Sequence, residues 1–270
     1  MEPARASELL RRNNVVVTGD PDGPTMMFAH GFGCSQEAWR LVAPQFENDH
    51  RVVRFDHVGA GGSDLTAYDA GKYDSLHGYT DDVLDLLDAL SLDDVIFVGH
   101  SVSAMIGVLA ANREPQRFRQ LVLMGPSPRY IDDGAYRGGF GRDDIEGLLD
   151  SLDANYLGWS AAFAPVIMGV PERPELGAEL VESFCRVDPT IARQFARVTF
   201  LSDNRRDLSA VNVPTHVIQS SEDVIAPIEV GRYVHEAIAG SRLTVLAATG
   251  HLPILSAADE LGEAIRRGLL

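Results

Sequence analysis

Seven short runs rich in β-branched residues recur along the chain, and between them the apolar residues change to helical spacing. The runs are NNVVVTG (13–19), TMMFAHG (25–31), RVVRFD (51–56), VIFVG (95–99), QLVLMG (120–125), THVIQS (215–220) and LTVLA (243–247). Alternation of this kind predicts an α/β fold, a mainly parallel sheet whose crossover helices cover both faces. TDDVLDLLDALS (80–91) reads as one such helix, with acidic residues in its first turn as the helix dipole favours, and AADELGEAIRRGLL closes the chain as another. At 270 residues one α/β domain with an insertion accounts for the length.

The alternation lapses once. From Pro126 to Asn212 no strand pattern appears, only helical periodicity broken by Gly and Pro, as in RDDIEGLLDSLDANYLGWSAAFAPVIMG, PELGAELVESFCR and DPTIARQFARVTFLSD. The expected organisation is a core of residues 1–125 and 213–270 carrying a helical lid at 126–212.

Composition narrows the function classes. A net charge of −16 repels phosphate backbones and anionic lipid, so nucleic acid and membrane surfaces are poor partners. MEPARASELLRRNN at the start has no apolar core of a secretory signal, and no apolar stretch reaches the roughly 20 residues of a membrane span. A cytoplasmic location is expected. Cys34 and Cys185, far apart in sequence, read as free thiols, and no Cys/His cluster suggests a metal.

The chemistry starts at VGHSVSA (98–104), where His100 and Ser101 stand between a strand and a helix. Polar residues at the end of a buried strand are costly unless they cap something or react. A serine at the apex of a strand–turn–helix corner is held in a strained backbone that only small neighbours permit. The usual G-x-S-x-G is altered here, with Ser103 in place of the last Gly. A serine hydroxyl needs a base, and the base needs an orienting acid. In this architecture they follow in the order Ser, acid, His, in loops after later strands. Asp223 follows the strand at 215–220 and His251 the strand at 243–247. Ser101, Asp223 and His251 are therefore the expected triad, with Glu222 the alternative acid. The other histidines, among them His30, His57 and His100, read as scaffolding or surface residues.

The oxyanion of an acyl-transfer intermediate needs two preorganised donors. The N–H of Val102, just after the nucleophile, is one; HGFG at 30–33 offers that of Phe32, its glycines allowing close backbone approach. DHVGAGGSD (56–64) has the look of a phosphate loop, but lacks its Lys and the G-x-G-x-x-G register. No cofactor or metal is called for.

GHSVSAMIG, FDHVGAGGSD, GPSPRYIDD, GGFGRDDIEGLL, NYLGWSAAFAP and IARQFARVTFLSDNR together resemble the RsbQ-like branch of the α/β-hydrolase superfamily, which holds the bacterial sigma-B regulators and the plant karrikin and strigolactone receptors. The resemblance covers almost the whole chain, including the insertion. It implies a V-shaped lid of four helices over an apolar pocket, with Phe32, Phe140, Trp159, Phe163 and Phe200 at pocket positions and Val224 in the position after the catalytic Asp. A pocket of this type is expected to measure about a few hundred Å³. The activity implied is hydrolysis of a small apolar ester or lactone, butenolide-like, through an acyl-enzyme. A second role is also implied, that of a stress-signalling component or sensor with slow turnover, acting with a sensor-domain phosphatase. Dehalogenases and epoxide hydrolases of the superfamily carry Asp where Ser101 stands, and the cofactor-free haloperoxidases carry Met where Val102 follows.

Overall fold

The computed structural model describes residues 2–270. One sheet is built from β1 (Val16–Gly19), β2 (Thr25–Ala29), β3 (Arg51–Phe55), β4 (Val95–His100), β5 (Phe118–Met124), β6 (Thr215–Glu222) and β7 (Arg242–Thr249). Its order is β1-β3-β2-β4-β5-β6-β7. β1 runs antiparallel to β3, and every other pairing is parallel. Every residue of β2 and β4 is buried, as expected for central parallel strands covered on both faces.

The period of two along each strand sorts side chains between two cores. Met26, Phe28, Ile96 and Val98 pack on one face with Trp39 and Leu261. Met27, Val53 and Phe97 pack on the other with Val83 and Met105.

The helices are α1 (Pro3–Arg12), α2 (Leu76–Ala89), α3 (Val102–Arg113), α4 (Arg142–Ala154), α5 (Tyr156–Met168), α6 (Pro174–Cys185), α7 (Pro189–Phe200), α8 (Arg205–Leu208), α9 (Ile228–Ala237), α10 (Pro253–Ser256) and α11 (Ala258–Gly268). Five of them, α4 to α8, lie between β5 and β6. Asn155 divides α4 from α5, and its side-chain carbonyl accepts from Gly158 N at 3.0 Å. That cap satisfies an amide at the start of α5.

Two local expectations change. α2 begins at Leu76, a turn before Thr80, so Asp81 and Asp82 fall outside its first turn. Asp82 instead accepts from Lys72 Nζ at 2.5 Å and Tyr73 Oη at 2.9 Å, and pairs with Arg12 at 2.9 Å. Arg12 comes from α1, a helix that the sequence pattern did not announce. Among the described residues no helix is long and apolar enough to cross a membrane. Both cysteines are free, Cys34 buried and Cys185 exposed.

Candidate active site

The chain turns from β4 into α3 at Ser101, whose backbone sits at φ 57° and ψ −121°. This region is strained for any residue with a Cβ and costs on the order of 1–3 kcal/mol. It is held by the Ser101 amide donating to Met124 O at 2.8 Å. Space for the turn comes partly from Gly31, where a Cβ would lie 2.8 Å from His100 Nδ1 and 3.2 Å from Ser101 Cβ.

Ser101 Oγ donates to His251 Nε2 at 2.8 Å. His251 Nδ1 donates to Asp223 Oδ2 at 2.7 Å. The other carboxylate oxygen accepts from the amides of Ile225 (2.8 Å) and Ala226 (3.1 Å). All three side chains are buried. Burial works to raise the Asp223 pKa, but the neighbouring His251 and the two amides outweigh it and hold the carboxyl below its ordinary value. Asp223 is thus an anion that fixes the imidazole tautomer, leaving Nε2 free to accept a proton. Glu222 is exposed and pairs within the sheet.

A second serine–histidine contact lies nearby. His57 Nε2 and Ser103 Oγ are 2.7 Å apart. The Ser103 hydroxyl spends its single proton on His30 O at 2.5 Å, so His57 Nε2 must be the donor of the pair. Ser103 therefore has no base to give its proton to. It is a buried polar brace standing where the usual motif has Gly. His30, His57 and His100 are all buried, and burial is the main cause lowering their pKa values, that of His100 to about 3. Neutral His100 donates from Nε2 to His251 O at 2.8 Å.

The amides of Phe32 and Val102 face no backbone carbonyl acceptor, and Val102 is the first residue of α3. Such amides are the donors an oxyanion requires.

Over Ser101 and His251 lies a cavity of about 30 Å³. That is far below the expected few hundred, because aromatic rings fill the space. Phe32 stands 5.9 Å from Phe184, 6.1 Å from Phe200 and 6.3 Å from Trp159 between ring centroids. Phe32, Trp159 and Phe200 line the cavity. Phe140, Phe163 and Val224 do not. Phe140 holds the Tyr130 segment through its backbone, its amide donating to Tyr130 O at 3.2 Å. Phe163 stacks against Trp159. Val224 is 51% exposed, and Ile225, one residue on, takes the inward position. Reading from sequence missed Tyr130, Phe184 and Thr199 among the lining residues. Thr199 alone left a trace, a polar residue on the buried stripe of Ala192, Phe195, Ala196 and Phe200.

The end of α5 meets the histidine loop at backbone level. His251 N donates to Ile167 O at 2.9 Å, and Thr249 Oγ1 to Gly169 O at 3.0 Å. Gly250, at φ 82°, admits no side chain, since a Cβ would lie 1.9 Å from Met168 O.

A strand order with one antiparallel edge and a serine at a strained β4–α3 corner defines the class of protein. The chain belongs to the α/β-hydrolase family, whose model matches residues 26–264, and it is a hydrolase. It is 39% identical over 262 residues to the strigolactone esterase of Arabidopsis thaliana, covering 97% of each chain. It is 38% identical over 248 residues to a karrikin insensitive 2 receptor of Petunia hybrida, covering 92% of each. Among solved structures, a hydrolase from Oleispira antarctica matches with a TM-score of 0.95 at 38% identity, covering 98% of this chain and 97% of that one.

Proposed function

We propose that the protein is a serine hydrolase of small apolar esters or lactones, butenolide-like in size, with residues 126–212 acting as a lid. The observation that carries this reading is the continuous hydrogen-bonded line from Asp223 through His251 to a strained Ser101 at the floor of an apolar cavity. Ser101 Oγ attacks the acyl carbon while His251 Nε2 takes its proton. The amides of Phe32 and Val102 hold the oxyanion, and His251⁺ returns the proton to the departing alkoxide. In a lactone that alkoxide stays tethered to the acyl group. Water, deprotonated by His251, then frees the acid and restores Ser101. The test is mass spectrometry after incubation with p-nitrophenyl ester and butenolide panels, reading released acid and any adduct on Ser101 or His251. Absence of both with every substrate would overturn the reading.

A second reading, a sensor with slow turnover, is favoured by the cavity itself; the phosphatase partner rests on the family resemblance alone. About 30 Å³ holds a water or two, so a ligand must displace the rings of α5 to α7 to enter. Binding is then coupled to a change in the lid surface. Turnover separates the two: a sensor releases about one product per protein during a binding cycle, an enzyme many.

A further inference from the structure

The catalytic cavity is apolar except at a few points, and the proposed mechanism leaves three of them unused. Tyr130 Oη, Trp159 Nε1 and Thr199 Oγ1 belong to residues lining it. Thr199 Oγ1 and Trp159 Nε1 are buried without a hydrogen-bond partner in the protein, and Tyr130 Oη is buried with only the Ser101 hydroxyl beside it. Buried polar atoms are rarely left so, and the exceptions call for an explanation.

Thr199 is the most telling. A threonine or serine inside a helix ordinarily spends its hydroxyl on the carbonyl four residues back. Thr80 does so with Leu76 O at 2.9 Å, and Ser160 with Tyr156 O at 2.8 Å. Thr199, in α7, makes no such bond, although valine would fill the same volume without a desolvated hydroxyl. Tyr130 packs edge-on against Phe200, the next residue, with ring centroids 5.0 Å apart. Burial pushes its phenol up to about 12 against the opposing influence of the neighbouring Ser101 hydroxyl, so it stays protonated and able to donate. Trp159 Nε1 can only donate. Two hydroxyls and an indole N–H around an apolar space match a ligand acceptor oxygen.

We propose that Thr199, assisted by Trp159 and by Tyr130 on the side nearest Ser101, is a specificity-determining residue that receives a second oxygen of the substrate, other than the carbonyl attacked by Ser101. The preferred substrates are compact esters or lactones carrying an additional ether or carbonyl oxygen, ahead of their hydrocarbon isosteres. This rests on the hydrolase reading above. Because a polar group left unpaired in the complex penalises the isostere, the preference is set by these side chains and not by cavity shape.

The test compares oxygen-for-methylene pairs. These are tetrahydropyran-3-yl and -4-yl acetates against cyclohexyl acetate, and the methyl tetrahydropyran carboxylates against methyl cyclohexanecarboxylate. Wild type should favour an oxygen-bearing member by about tenfold in kcat/KM, the scale of one buried hydrogen bond. Thr199→Val should bring that ratio close to one and raise Tm, since an unpaired buried hydroxyl is removed; Tyr130→Phe should also reduce the ratio. A ratio near one in wild type, or one that survives both substitutions, would overturn the proposal. So would a fall in Tm for Thr199→Val, the sign of a purely structural hydroxyl. The same compounds are scored by their Tm shift on Ser101→Ala protein, so the preference is read as binding even where turnover is absent. Turnover that persists in Ser101→Ala would instead refute the hydrolase reading and leave the binding comparison intact.

Discussion

Phe163 lies flat against Trp159, with ring centroids 5.3 Å apart and planes 12° apart, and Tyr156 stacks on the same indole one turn earlier, at 6.2 Å and 12°. The spacing of these residues, three and four apart on α5, makes them neighbours along one helix face. Trp159 is therefore a braced wall of the cavity, and Phe163 one of its braces.

Replacing wall and brace should have different effects. Trp159→Ala removes a ring that lines the cavity and should extend hydrolysis of p-nitrophenyl esters from acetate toward octanoate, at a stability cost of about 3–5 kcal/mol. Phe163→Ala should cost about 1 kcal/mol through the lost ring pair and leave the chain-length profile nearly unchanged. Rates are compared at matched folded fraction. Equal shifts in the two variants would mean that Phe163 also faces the substrate.

Ser101→Ala should lower kcat by at least about 10³-fold and abolish labelling by a fluorophosphonate. Ser103→Ala, which breaks the contacts with His30 and His57, should keep labelling while losing about 1–3 kcal/mol of stability. The reverse pattern would move the nucleophile to Ser103.

Asp223→Asn should reduce kcat by about 10⁴-fold while preserving the fold, because the amide favours the wrong His251 tautomer. Glu222→Gln, at an exposed position, should leave activity within about twofold, surface changes being near neutral. A dead Glu222→Gln beside an active Asp223→Asn would exchange their roles.

Stability should fall on the acid side of neutrality. His30, His57, His100 and His216 all have pKa values lowered by burial, with His100 at about 3 and His216 at about 4. A group depressed in the folded state binds its proton more readily when unfolded, so its contribution is complete above the unfolded value near 6.5 and is lost as pH falls toward the folded one. Tm should be level above about pH 7 and decline below it. Calorimetry in buffers of differing ionisation enthalpy should show about two or more protons taken up on unfolding near pH 5.5, His100 and His216 alone supplying nearly two. Uptake of less than one proton would show that these histidines are already charged in the core.

Much of this was legible in the sequence because strand periodicity and chain order are local signals. The seven strands fall where the β-branched runs lie, and the order Ser101, Asp223, His251 follows from the strands that precede them. What was not legible depends on tertiary orientation. At the end of β6 a single residue decides which side chain turns inward, and Ile225 does so while Val224 faces water. On α5 the periodicity marks Trp159 and Phe163 alike as apolar, but only packing against Phe32 makes one of them the wall. Cavity volume depends on how the rings of Phe32, Phe184 and Phe200 interleave, and no spacing rule contains that.

The contact between Gly250 and the end of α5 bears on how far this protein can be treated as a modular assembly. The amide of His251 is held by Ile167 O, and Thr249 by Gly169 O, so part of the frame of His251 is donated by the segment between β5 and β6. Chimaeras that exchange the helical cassette between relatives must carry Ile167 to Gly169 with the recipient's own histidine loop, or supply a backbone of the same shape. A cassette cut at Pro126 and Asn212 alone transplants half of a seam. The rings over Ser101 and the position of His251 are therefore inherited together in this scaffold.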